Sequence, residues 1–310
     1  MKKILITGAL GHIGSRLIRD LPDVLAGELV LLDNLESQRY CSLFNLPKKF
    51  KYRFFEDDVR TADMDKYLVA TDAVIHLAAL TNAESSKERA AEVESVNLDG
   101  LKRVADACAK NKVKLFFPST TSVYGSQASR VDETCQELKP QSPYATTKLA
   151  AERYLSKLGI EQGLKFVVCR FGTIFGASVG MRYHTAVNKF LWQAVTGQPL
   201  TVWKTAWRQK RPYLDLGDCV QAVSLILEKG LFDCRVYNVL TDNFTVEDIV
   251  SQIKSFVPGA TVKYVDSPIM NQLSYEVDDS IFRKQGYTPC GTLSEGIGES
   301  IDLLSAIKVR

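Results

Sequence analysis

KILITGALGHIG, residues 3–14, is followed by a stretch with helical spacing at residues 15–21. An aliphatic run, three glycines and a helix predict a strand, a tight turn and a helix in that order. The first glycine suits the turn, the second a close approach of a pyrophosphate to the backbone, and the third the packing of helix on strand. The helix N-terminus adds N–H groups for phosphate oxygens. We therefore expect a dinucleotide to bind against Gly8, Gly11, His12, Ile13 and Gly14.

The rest of the first 170 residues repeats this alternation of strand and helix. Short apolar runs rich in β-branched residues occur at 28–32, 52–55, 73–77, 113–117 and 166–169. Continuously apolar strands separated by helices indicate a parallel sheet that is covered on both faces. The fold class is therefore predicted to be α/β, with a doubly wound parallel sheet of the Rossmann type.

The alternation stops near residue 172, which indicates a second unit. Helical spacing returns at 218–227 and 245–257, with Thr245 as N-cap, and residues 236–239 suit one more strand. We expect an NAD-binding domain of residues 1–172 plus 213–242. The remaining residues, 173–212 plus 243–310, would form a smaller C-terminal α/β substrate domain.

Composition excludes several classes of protein. The chain has 310 residues and a formal net charge of +3, which offers no global field for a nucleic acid. No apolar run approaches the roughly 20 residues that cross a bilayer. Seven scattered cysteines form no Cys-x-x-Cys pair, and His12, His76 and His184 lack ligand spacing. We therefore expect no nucleic-acid or membrane binding, no disulfide framework and no metal, in a reducing cytoplasm.

Carboxylates follow the second and third predicted strands. Asp33 lies nineteen residues after Gly14, where a carboxylate accepts hydrogen bonds from the adenosine ribose and disfavours a 2′-phosphate. Asp33 and its neighbour Asn34 are therefore assigned to an NAD site, although Asp33 also suits a plain turn. Asp58 and Val59 are placed at the edge and face of the adenine, with an exposed acidic turn as the alternative.

Tyr144 and Lys148 stand four residues apart in a predicted helix and so share one face. A nearby cation favours the phenolate, so we expect the pKa of Tyr144 to fall from its ordinary value near 10 toward neutrality. A tyrosine of that kind can act as a general base. The same spacing also occurs in helices by accident, and the pair alone leaves both interpretations open.

A hydroxyl-rich segment, Ser119-Thr-Thr-Ser-Val-Tyr-Gly125, ends the fifth predicted strand. Together with the glycine turn and the Tyr144/Lys148 pair, it resembles the extended short-chain dehydrogenase/reductase family, and within it the NAD-dependent nucleotide-sugar epimerase/dehydratase branch. The match also covers His76-Leu-Ala-Ala79, Asn97, Ser142-Pro-Tyr144, Arg211-Pro-Tyr-Leu-Asp-Leu-Gly-Asp218 and Val236-Tyr-Asn-Val239.

The resemblance implies roles for individual residues. Thr120 would polarise the substrate, Tyr144 would be the base, and Lys148 would bind the nicotinamide ribose and tune Tyr144. Further cofactor contacts would come from Leu77, Ala78, Ala79 and Asn97. A nucleotide-diphosphate sugar would contact Thr120, Thr121, Tyr144, Thr173, Lys204 and Arg211. A homodimer through helices at 90–110 and 143–158 is implied as well.

The implied reaction oxidises the sugar to a transient 4-keto form and returns the hydride to the other face, which epimerises C4. Dehydratases of the branch carry an acid directly after the residue equivalent to Thr120, whereas this chain has Thr121-Ser122. The resemblance therefore favours an NAD-dependent 4-epimerase. A nucleotide-sugar dehydrogenase or reductase is the main alternative, a dehydratase is disfavoured, and a non-catalytic NAD-binding sensor is a further alternative.

Two positions depart from the pattern of the resembling family. Thr173 replaces the usual Asn after Arg-x-Phe, and residues 266–273 contain no Lys or Arg where a second phosphate-binding Arg is expected. Arg211 matches the first such Arg. We expect the basic stretch around Lys204, Arg208 and Lys210 to supply the missing charge as a lid or wall over an anionic substrate, with a solvated loop as the alternative.

Overall fold

The computed structural model describes residues 1–25, 27–82, 85–127, 130–266 and 275–306. Its main feature is a seven-stranded sheet in which every neighbouring pair is parallel. The strands are β1 (Lys3–Thr7), β2 (Glu28–Asp33), β3 (Lys51–Glu56), β4 (Ala73–His76), β5 (Lys114–Thr120), β6 (Phe166–Phe171) and β10 (Val236–Val239). Their order, β3-β2-β1-β4-β5-β6-β10, reverses direction beside β1. This confirms the predicted doubly wound sheet and places the ligand crevice at the carboxyl ends of β1 and β4.

Helices cover both faces of this sheet, because alternate side chains of each strand point to opposite faces. Ile4 and Ile6 pack into one core and Leu5 into the other. The first core includes α1 (His12–Asp20) and α7 (Leu216–Lys229). The second includes α2 (Met64–Leu68), α4 (Gly100–Asn111) and α5 (Pro143–Gln162). A short α3 (Ala90–Glu94) continues into α4 through a π-helical turn at Ser95–Asp99.

Two strands extend beyond their predicted ends. The apolar runs stop at residues 117 and 169, but β5 continues to Thr120 and β6 to Phe171. β4 pairs with β5 only as far as Ile75 and Phe116, so the end of β5 has a strand on one side alone. A proline such as Pro118 is tolerated at that kind of edge. The extension carries the hydroxyl-rich segment to the rim of the sheet.

The C-terminal half adds two small sheets. One has the order β11-β9-β7, and the other pairs β12 with β8. A third apolar core lies between these strands and helices α6, α8 and α10. Thr245 caps α8 and forms a capping box with Asp248, as the predicted N-cap requires. The elements are β7 (Thr173–Phe175), α6 (Ala186–Val195), β8 (Leu200–Trp203), β9 (Arg211–Asp215), β11 (Asp242–Phe244), α8 (Val246–Phe256), β12 (Val262–Val265), α9 (Ser280–Arg283) and α10 (Leu293–Leu304).

The predicted division into two domains stays a prediction, but the structure shows what lies at its boundaries. The boundaries after residues 212 and 242 fall inside β9 and β11, so the small sheet contains residues from both proposed domains. Phe282, assigned to the substrate domain, packs 5.2 Å from Tyr237 of the large sheet, measured between ring centroids. Three of the passages of the chain between the large sheet with its helices and the small sheet are short: from β6 to β7 through Gly172, from β9 directly into α7, and from β10 to β11 through Leu240 and Thr241.

Candidate functional site

A cleft runs along the carboxyl ends of β1, β4 and β5 and continues to the small sheet. We call its two parts the outer lobe, beside β2 and β3, and the inner lobe, beside α5 and β7. The predicted cofactor residues Asp33, Asn34, Asp58, Val59, Leu77, Ala78 and Ala79 line the outer lobe. The inner lobe is lined by His12, Ile13, Gly14, Thr120, Tyr144, Lys148, Thr173 and Arg211, and both lobes reach Gly8 and Gly11.

Two glycines of the glycine turn are needed because neighbouring backbone packs closely against them. Gly8 has a φ of +64°, and a Cβ there would lie 2.5 Å from the Ala78 backbone nitrogen. A Cβ on Gly14 would lie 2.5 Å from the Ala9 carbonyl oxygen. These contacts bring strand β4 and helix α1 against the turn.

Gly11 instead faces the cleft, and its hypothetical Cβ meets only the Gly8 carbonyl at 3.3 Å and the Arg39 side chain at 3.8 Å. Helix α1 begins directly after it with no side-chain cap, which leaves its first N–H groups for an anion. His12 contributes its backbone to this turn, while its ring Nδ1 shares a 2.7 Å hydrogen bond with the Ser178 hydroxyl. Burial, followed by the Arg182 cation, holds the pKa of His12 well below its ordinary value.

Asp33 connects the glycine turn to the second strand. Its carboxylate accepts the backbone N–H groups of Leu10 and Leu35, each at 3.0 Å. A carboxylate has about four lone-pair positions, so it can still accept hydrogen bonds from ribose hydroxyls. The outer lobe therefore fits an adenosine with free 2′ and 3′ hydroxyls.

Asp58 is already held by two neighbours. Arg60 donates to both of its oxygens at 2.9 and 2.6 Å, and the Asn34 amide donates at 3.0 Å. These hydrogen bonds, chiefly the one from Arg60, lower the pKa of Asp58 to about 2. Asp58 therefore presents a fixed negative charge at the rim of the outer lobe.

Asn97 does not line either lobe. It lies in the π-helical turn, accepts the Leu80 N–H at 2.8 Å and donates to the Leu80 carbonyl at 2.9 Å. The side chain thereby holds the segment that leaves β4, which carries Leu77, Ala78 and Ala79. A contact between Asn97 and the cofactor remains a prediction. The observed hydrogen bonds between Asn97 and Leu80 fix the segment that forms part of the wall of the outer lobe.

Tyr144, Thr120 and Lys148 meet at the centre of the inner lobe. Thr120 ends β5 and lines the inner lobe beside Tyr144, near enough to lower the pKa of its phenol. Ser142 caps α5 by accepting the Ala145 N–H at 3.2 Å, which fixes the turn on which Tyr144 stands. Lys148 is buried, donates to the Pro118 carbonyl at 2.8 Å, and has its Nζ 6.0 Å from the centre of the Tyr144 ring.

The expected depression of the Tyr144 pKa is not what the structure shows. Burial raises the pKa of the phenol, and the Arg182 cation and the hydrogen bond with Thr120 oppose this only in part. Lys148 is itself buried, which lowers its pKa to about 7, while Glu152 raises it and Arg182 lowers it. Sequence spacing places the two side chains on one face of the helix but carries no information on the burial that dominates the pKa of both groups.

The predicted substrate residues do not all face the cleft. Thr173 and Arg211 line the inner lobe, whereas Thr121 turns away and donates to the Phe171 carbonyl at 3.3 Å. Ser122 lines the lobe instead. Lys204 lies outside both lobes and pairs with Asp266 at 2.9 Å.

The other two members of the basic stretch also face acids on the surface. Arg208 pairs with Glu247 at 3.7 Å and Lys210 with Glu276 at 3.1 Å. Among the basic side chains of residues 204–211, Arg211 alone lines the inner lobe. The segment 266–273, where a second Arg was expected, lies outside the described residues except for Asp266.

The inner lobe is cationic in a way that sequence reasoning missed. Six Lys or Arg side chains line it, and none of the described residues that line it is Asp or Glu; the cations are Arg39, Lys87, Lys148, Arg182, Lys189 and Arg211. Arg182 lies in a stretch without periodicity and Lys189 follows that stretch, so no sequence pattern indicated that either residue belongs to the site. Over the described parts of the chain, no cluster of His, Cys, Asp and Glu is arranged to hold a metal ion, and no helix is long and apolar enough to span a bilayer.

Arg182 is the most constrained of these cations. It donates to the Thr81 hydroxyl, and its buried Nε has no partner among the described residues. Burial and the Arg39 cation lower the pKa of its guanidinium, whereas Tyr144 raises it. A buried cation in this situation is stabilised by an anionic ligand.

Comparison with known proteins agrees with this geometry. A trifunctional UDP-glucose 4,6-dehydratase/epimerase/reductase of Arabidopsis thaliana is 30% identical over 97% of this chain, which spans about half (47%) of that relative's length. An uncharacterized UDP-glucose epimerase of Bacillus subtilis is 28% identical over 98% of both chains. The crystal structure of UDP-glucuronic acid 4-epimerase from Bacillus cereus, in complex with UDP-glucuronic acid and NAD, has a TM-score of 0.89 at 26% identity over 98% of this chain and 99% of that one.

The model of the NAD dependent epimerase/dehydratase family matches residues 4–239, which run from the first strand to the last strand of the large sheet. That range includes the glycine turn, the hydroxyl-rich end of β5 and the Tyr144/Lys148 pair. The chain is therefore a member of the NAD dependent epimerase/dehydratase family.

Proposed function

We propose that this protein is an NAD-dependent 4-epimerase of UDP-sugars that works through a transient 4-keto sugar. The observation that carries the proposal is the inner lobe itself, where Thr120 and Tyr144 meet and no described lining residue is an acid. NAD supplies the hydride acceptor that oxidation of a sugar alcohol needs, and the glycine turn, Asp33 and Lys148 would hold it.

The residues of this chain would divide the remaining work. Thr120 orients the sugar hydroxyl, and Tyr144 takes its proton. Lys148, anchored to the Pro118 carbonyl, lies on the same helix face as Tyr144 and would bind the nicotinamide ribose. Arg211 would contact the diphosphate, which suits the bidentate geometry of a guanidinium.

The proposal favours an epimerase over a dehydratase because eliminating water needs an additional acid beside the sugar. The position after Thr120 is Thr121, whose hydroxyl is directed at the Phe171 carbonyl and not at the cleft. Ser122 presents a hydroxyl, which stays un-ionised at neutral pH. Neither residue supplies a titratable proton near C5 or C6 of a bound sugar.

We further infer that the sugar carries a carboxylate, as in UDP-glucuronic acid. Arg182 lines the inner lobe and lies near enough to Tyr144 to alter its pKa, so an anion paired with its guanidinium would sit beside the reacting carbon. Ser122 and Thr173 line the same lobe and offer hydroxyl donors. The name of the similar Bacillus cereus enzyme supports this choice, because it acts on a uronic acid.

The test incubates the purified protein and NAD with UDP-glucose, UDP-N-acetylglucosamine and UDP-glucuronic acid and follows the products by NMR. We expect a C4 epimer from UDP-glucuronic acid, without net reduction of NAD. The variant Tyr144→Phe should lose at least about 100-fold in rate, since general base catalysis contributes that much. Tyr154→Phe is the matched control, because Tyr154 lines neither lobe and donates to Asp106 of α4.

Each alternative has its own signature in this experiment. A 4-keto-6-deoxy product would establish a dehydratase, and stoichiometric NADH would establish a dehydrogenase. Binding of NAD without turnover of any UDP-sugar would point to a sensor. Full activity of Tyr144→Phe would refute the mechanism.

A homodimer in the cytoplasm is part of the same proposal. The two predicted dimer helices correspond to residues 90–111 and 143–162, and a surface groove runs between Ala90, Leu98 and Thr146. All seven cysteines are unpaired, which fits a reducing compartment. Light scattering at micromolar concentration distinguishes a dimer of about twice 34.6 kDa from a monomer.

A further inference from the structure

A buried ion pair lies directly behind the inner lobe. Glu152 and Arg170 are 5% and 6% exposed, with the Arg170 Nη2 2.7 Å from the Glu152 Oε2 and its Nε 3.1 Å from the Oε1. Ser119 also donates to the same carboxylate. Burying two charges is costly unless their hydrogen bonds are satisfied, so such a pair gives weak evidence for stability and calls for another explanation.

The position of Glu152 in the fold supplies an explanation other than stability. It follows Lys148 by one helical turn on α5, and Ser119 directly precedes Thr120 on β5. Arg170 is the cross-strand neighbour of Ser119 on β6. The carboxylate therefore touches the strand that carries Thr120 and lies on the same helix face as Lys148.

The surroundings of Lys148 make this carboxylate its main source of negative charge. On α5 it faces Tyr144 and Glu152, and the segment after β7 contributes the Arg182 cation. From β4 it faces His76, which is neutral because burial lowers its pKa to about 3. From β5 it has the Pro118 carbonyl at 2.8 Å and the Phe117 ring at 4.4 Å.

We propose that Glu152 is a positioning residue that keeps Lys148 protonated and, through Ser119, fixes the end of β5 where Thr120 meets Tyr144. The inference rests on the role of Lys148 in the proposed function. Burial and Arg182 both act against the charged form of Lys148, and Glu152 opposes them. Arg170 holds the carboxylate in its orientation through Nε and Nη2.

The test is the pH profile of kcat/KM for epimerisation with NAD present. Glu152→Gln keeps the shape and removes a charge that lies one helical turn from Lys148, and a nearby opposite charge shifts a pKa by about one unit or more. We expect the alkaline limb to move to lower pH by about one unit, with about tenfold less activity at pH 8.5 and less than about twofold change at pH 5.5. Glu152→Asp, which retains the charge, should keep the limb in its original place.

A merely structural role predicts something else. Glu152→Gln would then lose activity equally at every pH, and this outcome would overturn the proposal. The matched control is Asp279→Asn, which removes the carboxylate of another pair, Asp279 with Arg283, whose aspartate is 5% exposed and lies outside both lobes. It should leave the limb unchanged.

The variant Glu152→Gln strands a buried cation and can fail to fold, so the double variant Glu152→Gln/Arg170→Gln is measured beside it. We expect the alkaline limb of the pH profile to stay at the lower pH in the double variant, as in Glu152→Gln. A return of this limb to its wild-type position would refute the inference.

A second measurement needs no substrate and so separates this inference from the proposed function. The rate of acetylation of Lys148 by acetic anhydride, followed by peptide mass spectrometry across pH, reports the pKa of the amine. Its midpoint should fall in both glutamine variants even if no UDP-sugar is turned over. An unchanged midpoint in a folded variant would overturn the link between Glu152 and Lys148.

Discussion

Replacing Arg182 should change which sugar the protein accepts. The guanidinium lines the inner lobe and has further N–H groups besides the one on Thr81, so it is a charged donor available to a ligand anion. A hydrogen bond to a charged group contributes about 1.5–3 kcal/mol, which corresponds to a factor of about 10–150. Arg182→Met keeps the length of the side chain and removes this donor. We expect kcat/KM for UDP-glucuronic acid to fall by that factor and kcat/KM for UDP-glucose to change less than about threefold.

The assay compares the two substrates under identical conditions, so that a general loss of folding or of NAD cancels from the ratio. Arg208→Met is the control, because Arg208 is 83% exposed and lies on the surface beside Glu247. Arg208→Met should leave kcat/KM unchanged for both substrates. Equal losses on both substrates with Arg182→Met would show that this cation serves the fold or the cofactor, and the reasoning about a carboxylated sugar would be refuted.

Two further predictions concern the cofactor and stability. A Cβ on Gly180 would lie 2.4 Å from the Leu10 carbonyl oxygen, against the glycine turn. Gly180→Ala should therefore weaken NAD binding at least about tenfold by calorimetry, whereas Gly259→Ala, with open space around it, should leave the affinity unchanged. Equal affinities of the two variants for NAD would contradict this packing argument. Burial raises the pKa of Asp215 to about 6, so the protonated form is favoured in the folded state and stability is lost as pH rises through that value. The free energy of unfolding of Asp215→Asn, measured with urea, should therefore exceed that of the wild type by up to about 3 kcal/mol at pH 8 and equal it near pH 4. An increase of the same size at both pH values would exclude the titration of Asp215 as its cause.

The large sheet could be predicted from sequence because its signals are local. Continuous apolar runs, a glycine turn and regular spacing need no knowledge of distant residues, and strands such as Lys3–Thr7 match their predicted bounds. The direction of individual hydroxyls could not be predicted. β5 passes into a 3₁₀ turn at Thr121–Tyr124, which breaks the alternation that would have said whether Thr121 or Ser122 faces the cleft.

Charge was the second limit of the sequence analysis. The basic stretch at 204–211 is real, but the acids that face it are Glu247, Asp266 and Glu276, which are far away in the chain. The cations of the inner lobe come from separate elements, so composition alone could not group them. Arg182 reaches the lobe because the segment that carries it packs across the glycine turn, where the Gly180 N–H donates to Ser15 at 2.9 Å.

The three short passages between the large and small sheets bear on how a sugar can turn over during the reaction. Many enzymes open and close by bending linkers between domains. Here the passages contain one, zero and two residues, and Gly172 and Thr241 are hydrogen-bonded across them to Val239 and Tyr213. Short connections that are held by hydrogen bonds limit how far the walls of the inner lobe can separate by hinge bending. In the proposed epimerisation, a sugar ring that must show its opposite face would have to turn over between these walls while the diphosphate stays bound, so the bulk of its substituents would set the range of sugars that can be inverted.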